Sequence, residues 1–219
     1  MTALATKPPA AANVPSVETA ESPSAACART SSAIDSPRPA KWTRERFEAA
    51  LDAGVLADWR VEYIEGELIE IPAQKDPHAW SVANLDDWTR SAFGRGFHFR
   101  CQLPLRVEDT SEPEPDIAVI EGPLRRGQGH PTTAALVIEV SHETVRFDRR
   151  NARLYARANV PEYWLLNIPQ RQLELHRQPL AGAAPDGPWY AEMRVLGEGD
   201  SVSPLAVPEA TVTVRDLLP

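Results

Sequence analysis

A single acidic residue interrupts the most apolar run of the chain, Ala134-Ala135-Leu136-Val137-Ile138-Glu139-Val140. A strand that is apolar on both faces belongs in the middle of a sheet covered on both sides, so this run requires a layered domain with helices above and below. A carboxylate there is costly unless it is paired, protonated or bound to a metal. Taken alone, Glu139 has a second reading as an outward position on an edge strand. Asp116 poses a similar question, because it opens the stretch Asp116-Ile117-Ala118-Val119-Ile120 directly after Pro115. By itself it reads as a strand-start or turn residue. If the two strands are neighbours, both carboxylates meet at one end of the sheet and offer hard oxygen ligands to a divalent ion. Such an ion lowers the pKa of a bound water and stabilises charge developing on a phosphoryl group.

The rest of the sequence supplies the layers. Thr43 precedes a short amphipathic helix over 44–54 that carries Phe47, Ala50 and Leu51 on one face and stops at Gly54. Alternation over 61–71 about Glu65-Gly66 reads as a hairpin. Asp76 and Pro77 open a second helix that ends at Gly94, with a stripe of Trp80, Val82, Ala83, Trp88 and Phe93. Phe97, Phe99, Cys101, Leu103 and Leu105 alternate as one half-buried strand over 97–107. After the strands of Asp116 and Glu139 comes a helix over 144–158, which stops before Pro161. A second hairpin follows at EYWLLNI and RQLELHRQ, where Tyr163 and Trp164 read as packing residues. WYAEMRVL and TVTV read as extra strands of the same sheet. The fold class is α/β (α+β).

Composition changes sharply near residue 41. Residues 1–41 are dominated by Ala, Pro, Ser and Thr and hold no aromatic residue, which reads as a disordered tail ahead of a domain over 42–219. MTALATKPPAAANVP is too broken by proline for a secretory signal, and no segment approaches the roughly twenty apolar residues of a bilayer span, so no membrane partner is expected. Two cysteines, Cys27 and Cys101, are too few and too ill-placed for a disulfide framework or zinc knuckle, and a reducing cytoplasm is the plain reading. A net charge of -8 argues against a broad basic surface but allows a local basic rim. The Arg125-Arg126 loop and the stretch 146–157, with five arginines and one aspartate, are the candidates. A solvated helix face is the plainer account of that arginine cluster.

The strings EPEPDIAVI, LVIEVS and FDRR…LYARANVPEYWLLNI, preceded by the hairpin YIEGELIEIP and by His78, closely resemble a restriction endonuclease family common in cyanobacteria and other bacteria. That family is a branch of the PD-(D/E)xK nuclease superfamily, and the resemblance covers 43–178. It implies a restriction-endonuclease-like central mixed sheet flanked by helices, with an N-terminal helix-hairpin-helix segment and extra C-terminal strands. It also implies an endonuclease that hydrolyses phosphodiester bonds of DNA with Mg²⁺ or Mn²⁺. Asp116 and Glu139 would be metal ligands and catalytic residues, the Val140 carbonyl would join them, and Glu67 would be a further metal participant. His78 would lie near the site, although a helix-start histidine facing solvent or packing on a strand explains it equally. His142 is an accessory candidate, because the turn Ser141-His142-Glu143-Thr144 serves equally as a helix entry.

One position departs from the family pattern. A lysine is expected four residues before Tyr155, and that residue is Asn151, in a run one residue shorter than usual. Asparagine hydrogen-bonds a water but brings no charge. Arg150 and Arg153 are possible deputies, but each lies about a hundred degrees or more around the helix from residue 151, and arginine is a poor proton acceptor. Two function readings follow: an active endonuclease, and a catalytically impaired member that binds nucleic acid or regulates. A protein-interaction role for the Pro-rich tail has no positive motif. Oligomeric state stays open, with a homodimer as the option that double-strand cutting favours.

Overall fold

The computed structural model describes residues 38–180, 182, 187 and 189–219. The expected disordered tail therefore lies, up to residue 37, outside the described residues. Six strands form the main sheet: β3 (Phe97–Cys101), β4 (Ile117–Glu121), β5 (Leu136–Ser141), β6 (Glu162–Asn167), β7 (Gln172–Leu180) and β8 (Trp189–Gly197), in that spatial order. β5 and β6 are parallel, and every other pairing is antiparallel. A parallel pair needs a crossover, which α3 (Val145–Arg157) supplies. Every residue of β5 and β6 is buried, as their largely apolar sequences require.

Alternation along the strands sorts side chains between two cores. Ile117, Val119, Leu136, Ile138, Val140, Trp164 and Leu166 pack with Val82, Leu85 and Phe93 of α2 (Asp76–Phe93). Ala118, Ile120, Val137, Tyr163 and Leu165 pack with Ala152, Leu154, Tyr155 and Ala156 of α3. By the same period of two, Asp116 and Glu139 point to the α3 side. The anticipated mixed sheet between helices is thus present, and Tyr163 and Trp164 are fully buried within it.

The hairpin of β1 (Val61–Ile64) and β2 (Glu67–Glu70) is a separate two-stranded sheet, packed on α1 (Arg44–Asp52) through Phe47, Leu56 and Tyr63. Its turn places Glu65 and Gly66 at φ 50 and 78. A side chain at 66 would also press on the Trp42 carbonyl at 3.2 Å, so glycine is required twice over. Arg44 anchors this layer, its buried guanidinium bonded to the Glu112 carboxylate and to the Glu108 carbonyl.

Four local expectations are corrected. The strand over 97–107 stops at Cys101, because Gln102 takes φ 50 and breaks the alternation, leaving Leu103 exposed and Leu105 buried. The buried stripe of α2 runs through Val82, Leu85, Thr89 and Phe93, while Trp80 and Ala83 face outward. Of the last strands, β8 joins the main sheet, but β10 (Val212–Thr213) pairs with β9 (Ser201–Val202) in a sheet of its own, ahead of α4 (Val214–Leu217). On α1, Leu51 is also exposed, while Phe47 is buried.

One buried group has a legible cost. His176 of β7 is 1% exposed among the rings of Tyr163, Trp189 and Tyr190, and neither ring nitrogen has a hydrogen-bond partner among the described residues. Burial pulls its pKa down to about 4, against the pull of Glu174. The unfolded chain takes up this proton first as pH falls below about 6.5, so stability drains away between there and about 4. We expect the parent to lose about 3 kcal/mol over that window relative to His176→Leu, measured by denaturant unfolding at a series of pH values.

Candidate active site

The register of β4 against β5 builds the site. Ile117 stands opposite Ile138, and the next step places Asp116 opposite Glu139. Each carboxylate then accepts a hydrogen bond from the backbone of the neighbouring segment. The Asp116 N–H donates to Glu139 Oε2 at 3.1 Å, and the Val140 N–H donates to Asp116 Oδ2 at 2.8 Å. Both carboxylates are buried, at 7% and 8% exposure. Glu139 lies on an interior strand, not an edge, whereas Asp116 does occupy the bend that opens β4.

Each carboxylate has a second support. Gln102 Nε2 donates to Asp116 Oδ1 at 3.0 Å, which is the use made of its unusual backbone, and His78 Nε2 lies 3.2 Å from Asp116 Oδ2. Burial opposes charging of His78, but its hydrogen bond to Asp116 and that residue's charge raise its pKa on balance. Tyr155 donates from its buried hydroxyl to Glu139 Oε1 at 2.6 Å.

Asp116, Glu139 and His78 line a cavity of about 90 Å³ that also holds Glu62, Glu114, Asp148, His142 and Asn151. Its electrostatics are strongly one-sided. Burial first, and then the charges of Asp116, Asp148 and Glu62, push Glu139 well above the ordinary carboxylate range. Glu62 is raised to about 8 by burial and by Glu114, Asp148 and Asp116. Asp148 is raised to about 6, chiefly by burial, although Thr144 Oγ1 donates to it at 2.7 Å. A pocket of hard oxygens that repel one another in low dielectric fits a divalent cation. Among the described residues, no three His, Cys, Asp or Glu side chains are already gathered as a metal-binding group. Two carboxylates and a carbonyl suffice for an ion that keeps much of its water.

Glu67, expected beside Asp116 and Glu139, is not among the residues lining this cavity. It shares a face of the hairpin with Glu62 but pairs with Ile64 at the tip, whereas Glu62 pairs with Ile69 one step back, a displacement of roughly 7 Å. It is exposed there and bonded to Lys41 at 2.5 Å. Arg150 and Arg153 also face away from the cavity, on the outer side of α3. Asn151 lines the cavity at 3% exposure, and His142 lines it with Glu143. Glu62, Glu114, Asp148, Gln102, Tyr155 and the cations Arg60 and Lys75 are among the lining or supporting groups that sequence reasoning missed. Asp148 carried a signal, an isolated acid on a basic helix four residues after Thr144.

A family model described as "Putative restriction endonuclease", Uma2, matches residues 45–215. The chain belongs to the Uma2 family. The match runs past the 43–178 segment that carried the resemblance, so β8, β9 and β10 are part of the family's domain. A crystal structure of a "putative nuclease belonging to DUF820" from Anabaena variabilis ATCC 29413 has the same fold, with a TM-score of 0.60 at 18% identity over 73% of this chain and 90% of that one. No curated protein matches the chain. No helix among the described residues is long and apolar enough to cross a membrane.

The crowding of acids in a Uma2 site should be measurable as lost stability. Asp148 has its folded pKa raised to about 6, so its ionised form destabilises the fold above that pH and the penalty is relieved as pH falls towards the ordinary range. Asp148→Asn should therefore raise the unfolding free energy at pH 8 by on the order of 1 to 3 kcal/mol, with the gain gone by about pH 4. A gain that persists at low pH would assign the effect to packing.

Proposed function

We propose that this Uma2 protein is a metal-dependent endonuclease that hydrolyses phosphodiester bonds of DNA, with Asp116 and Glu139 as the residues that hold Mg²⁺ or Mn²⁺. The observation that carries this reading is the pair of buried carboxylates locked to each other's strands in a cavity with a large excess of acid. The Val140 carbonyl is the third donor in keeping with the family. When bound, the ion supplies an acidified water and neutralises charge on the phosphoryl group.

The chain's own residues do the remaining work. His78 and Gln102 fix the Asp116 carboxylate, and Tyr155 fixes Glu139, so both are oriented before any ligand arrives. Asn151 offers a hydrogen bond to a water in the cavity without charge. Positive charge comes instead from Arg60 and Lys75, the two Lys or Arg residues of the lining. Lys75 stands just ahead of α2, where its ammonium is ion-paired with Glu143, another cavity residue, across the mouth. This flexible ammonium takes the role for which position 151 has lost its lysine.

A second reading, a family member impaired in catalysis that binds or regulates, is favoured by the buried Asn151 and by the net charge of -8. Cleavage of supercoiled plasmid with Mg²⁺ or Mn²⁺ separates the two. The parent should cut, Asp116→Ala and Glu139→Ala should not, and Lys75→Ala should slow cutting roughly 10²-fold. A silent parent whose Asn151→Lys variant cuts is an intact scaffold disabled at one position. Silence in both overturns the nuclease reading.

A further inference from the structure

Beside the acidic cavity, and sharing Phe147 and Asn151 with it, lies a wider groove of about 470 Å³ along the outer face of α3. Arg149, Arg150, Arg153 and Arg157 of α3 line it together with Trp189 of β8. The helix geometry organises the charge. Arg146, Arg150, Arg153 and Arg157 recur at intervals of four, three and four residues, which confines them to about 60° of the helix circumference. The stripe is about 16 Å long and reaches the residues that border the cavity.

Its members differ in how they are held. Arg149 is forked onto Glu174, and Arg157 is shared by Glu65 and Glu108, so these two are largely neutralised. Arg146 and Arg150 form no ion pair among the described residues and are exposed. The Arg153 guanidinium lies over the Trp189 ring, 5.6 Å from its centroid. The groove therefore offers the exposed cation Arg150, continued along the helix by Arg146, beside an aromatic surface with a guanidinium over it. That combination recognises a phosphate chain whose bases are unstacked.

We propose that this groove is a track for single-stranded DNA that delivers a phosphodiester to the acidic cavity. Phosphates lie along Arg146 and Arg150, and one base stacks on the Arg153–Trp189 pair. The proposal rests on the nuclease reading and names the strand form it acts on. A duplex grips through many phosphate contacts spread over a broad basic surface, whereas this chain has a net charge of -8 and the α3 stripe is short. A base buried in a duplex has no face to give the indole.

Binding is measured by fluorescence anisotropy with the full chain in EDTA, where no cutting occurs. The probes are a labelled oligothymidylate and a duplex of equal length. The parent should hold the single strand at least tenfold tighter than the duplex. Arg150→Ala and Arg146→Ala should each weaken single-strand binding and reduce its salt slope by about 0.7 between roughly 50 and 200 mM salt. Trp189→Leu should weaken it about tenfold or more, and Trp189→Phe should restore most of it, which guards against a folding defect. Arg95→Ala, in the exposed turn between α2 and β3, should change nothing. A parent that prefers duplex, or that binds neither probe, overturns the track, as does indifference to both Arg150→Ala and Trp189→Leu. A protein that cuts plasmid without single-strand preference keeps the activity and loses the track. One that holds single strands but cuts nothing does the reverse.

Discussion

The paired hydrogen bonds between Asp116 and the β5 backbone, and between Glu139 and the β4 backbone, tie the fold and the site into one object. A slip of β4 by one residue against β5 would turn Asp116 to the α2 face, away from Glu139, and put the apolar Ile117 in its place on the α3 side. The two cores prevent the slip, because each alternate residue of β4 and β5 has its own partners on α2 or α3. The site is therefore held by the hydrophobic sorting of its two strands, and its side-chain supports are additions to that frame.

Those additions come from every layer. His78 arrives from the start of α2, Gln102 from a left-handed residue after β3, Tyr155 from α3 and Glu62 from the hairpin on α1. Converging them costs stability, since Glu139, Glu62 and Asp148 are all forced away from their ordinary ionisation by burial and by one another. A protein selected only to fold would replace several of them with neutral residues. Their concentration in one cavity is the physical argument for a cationic ligand.

Charge is partitioned along α3. Its inward face gives Asp148 and Asn151 to the cavity, and its outward face carries the arginines. A thin helix thus separates an acidic pocket from a basic groove by little more than its own diameter, about 10 Å. The net charge of -8 averages over this contrast and hides it.

Much of the architecture was legible in the chain itself. The apolar run around Glu139 demanded a central strand, the Glu65-Gly66 turn demanded a hairpin, and motif resemblance singled out Asp116 and Glu139. The strand and stripe errors arose where one residue broke a period, as Gln102 does at φ 50, or where tertiary packing chose a different face, as on α2. Glu67 and Glu62 are equivalent by sequence pattern, and only their distance from the hairpin tip separates an exposed ion pair from a cavity wall. Lys75 and Asn151 lie far apart in sequence, yet both line the same cavity. Local periodicity determined the elements and which faces are apolar, because burial is written into every second or fourth residue. Which polar groups converge was decided by the packing of distant segments, since contact between them depends on distances that no local pattern encodes.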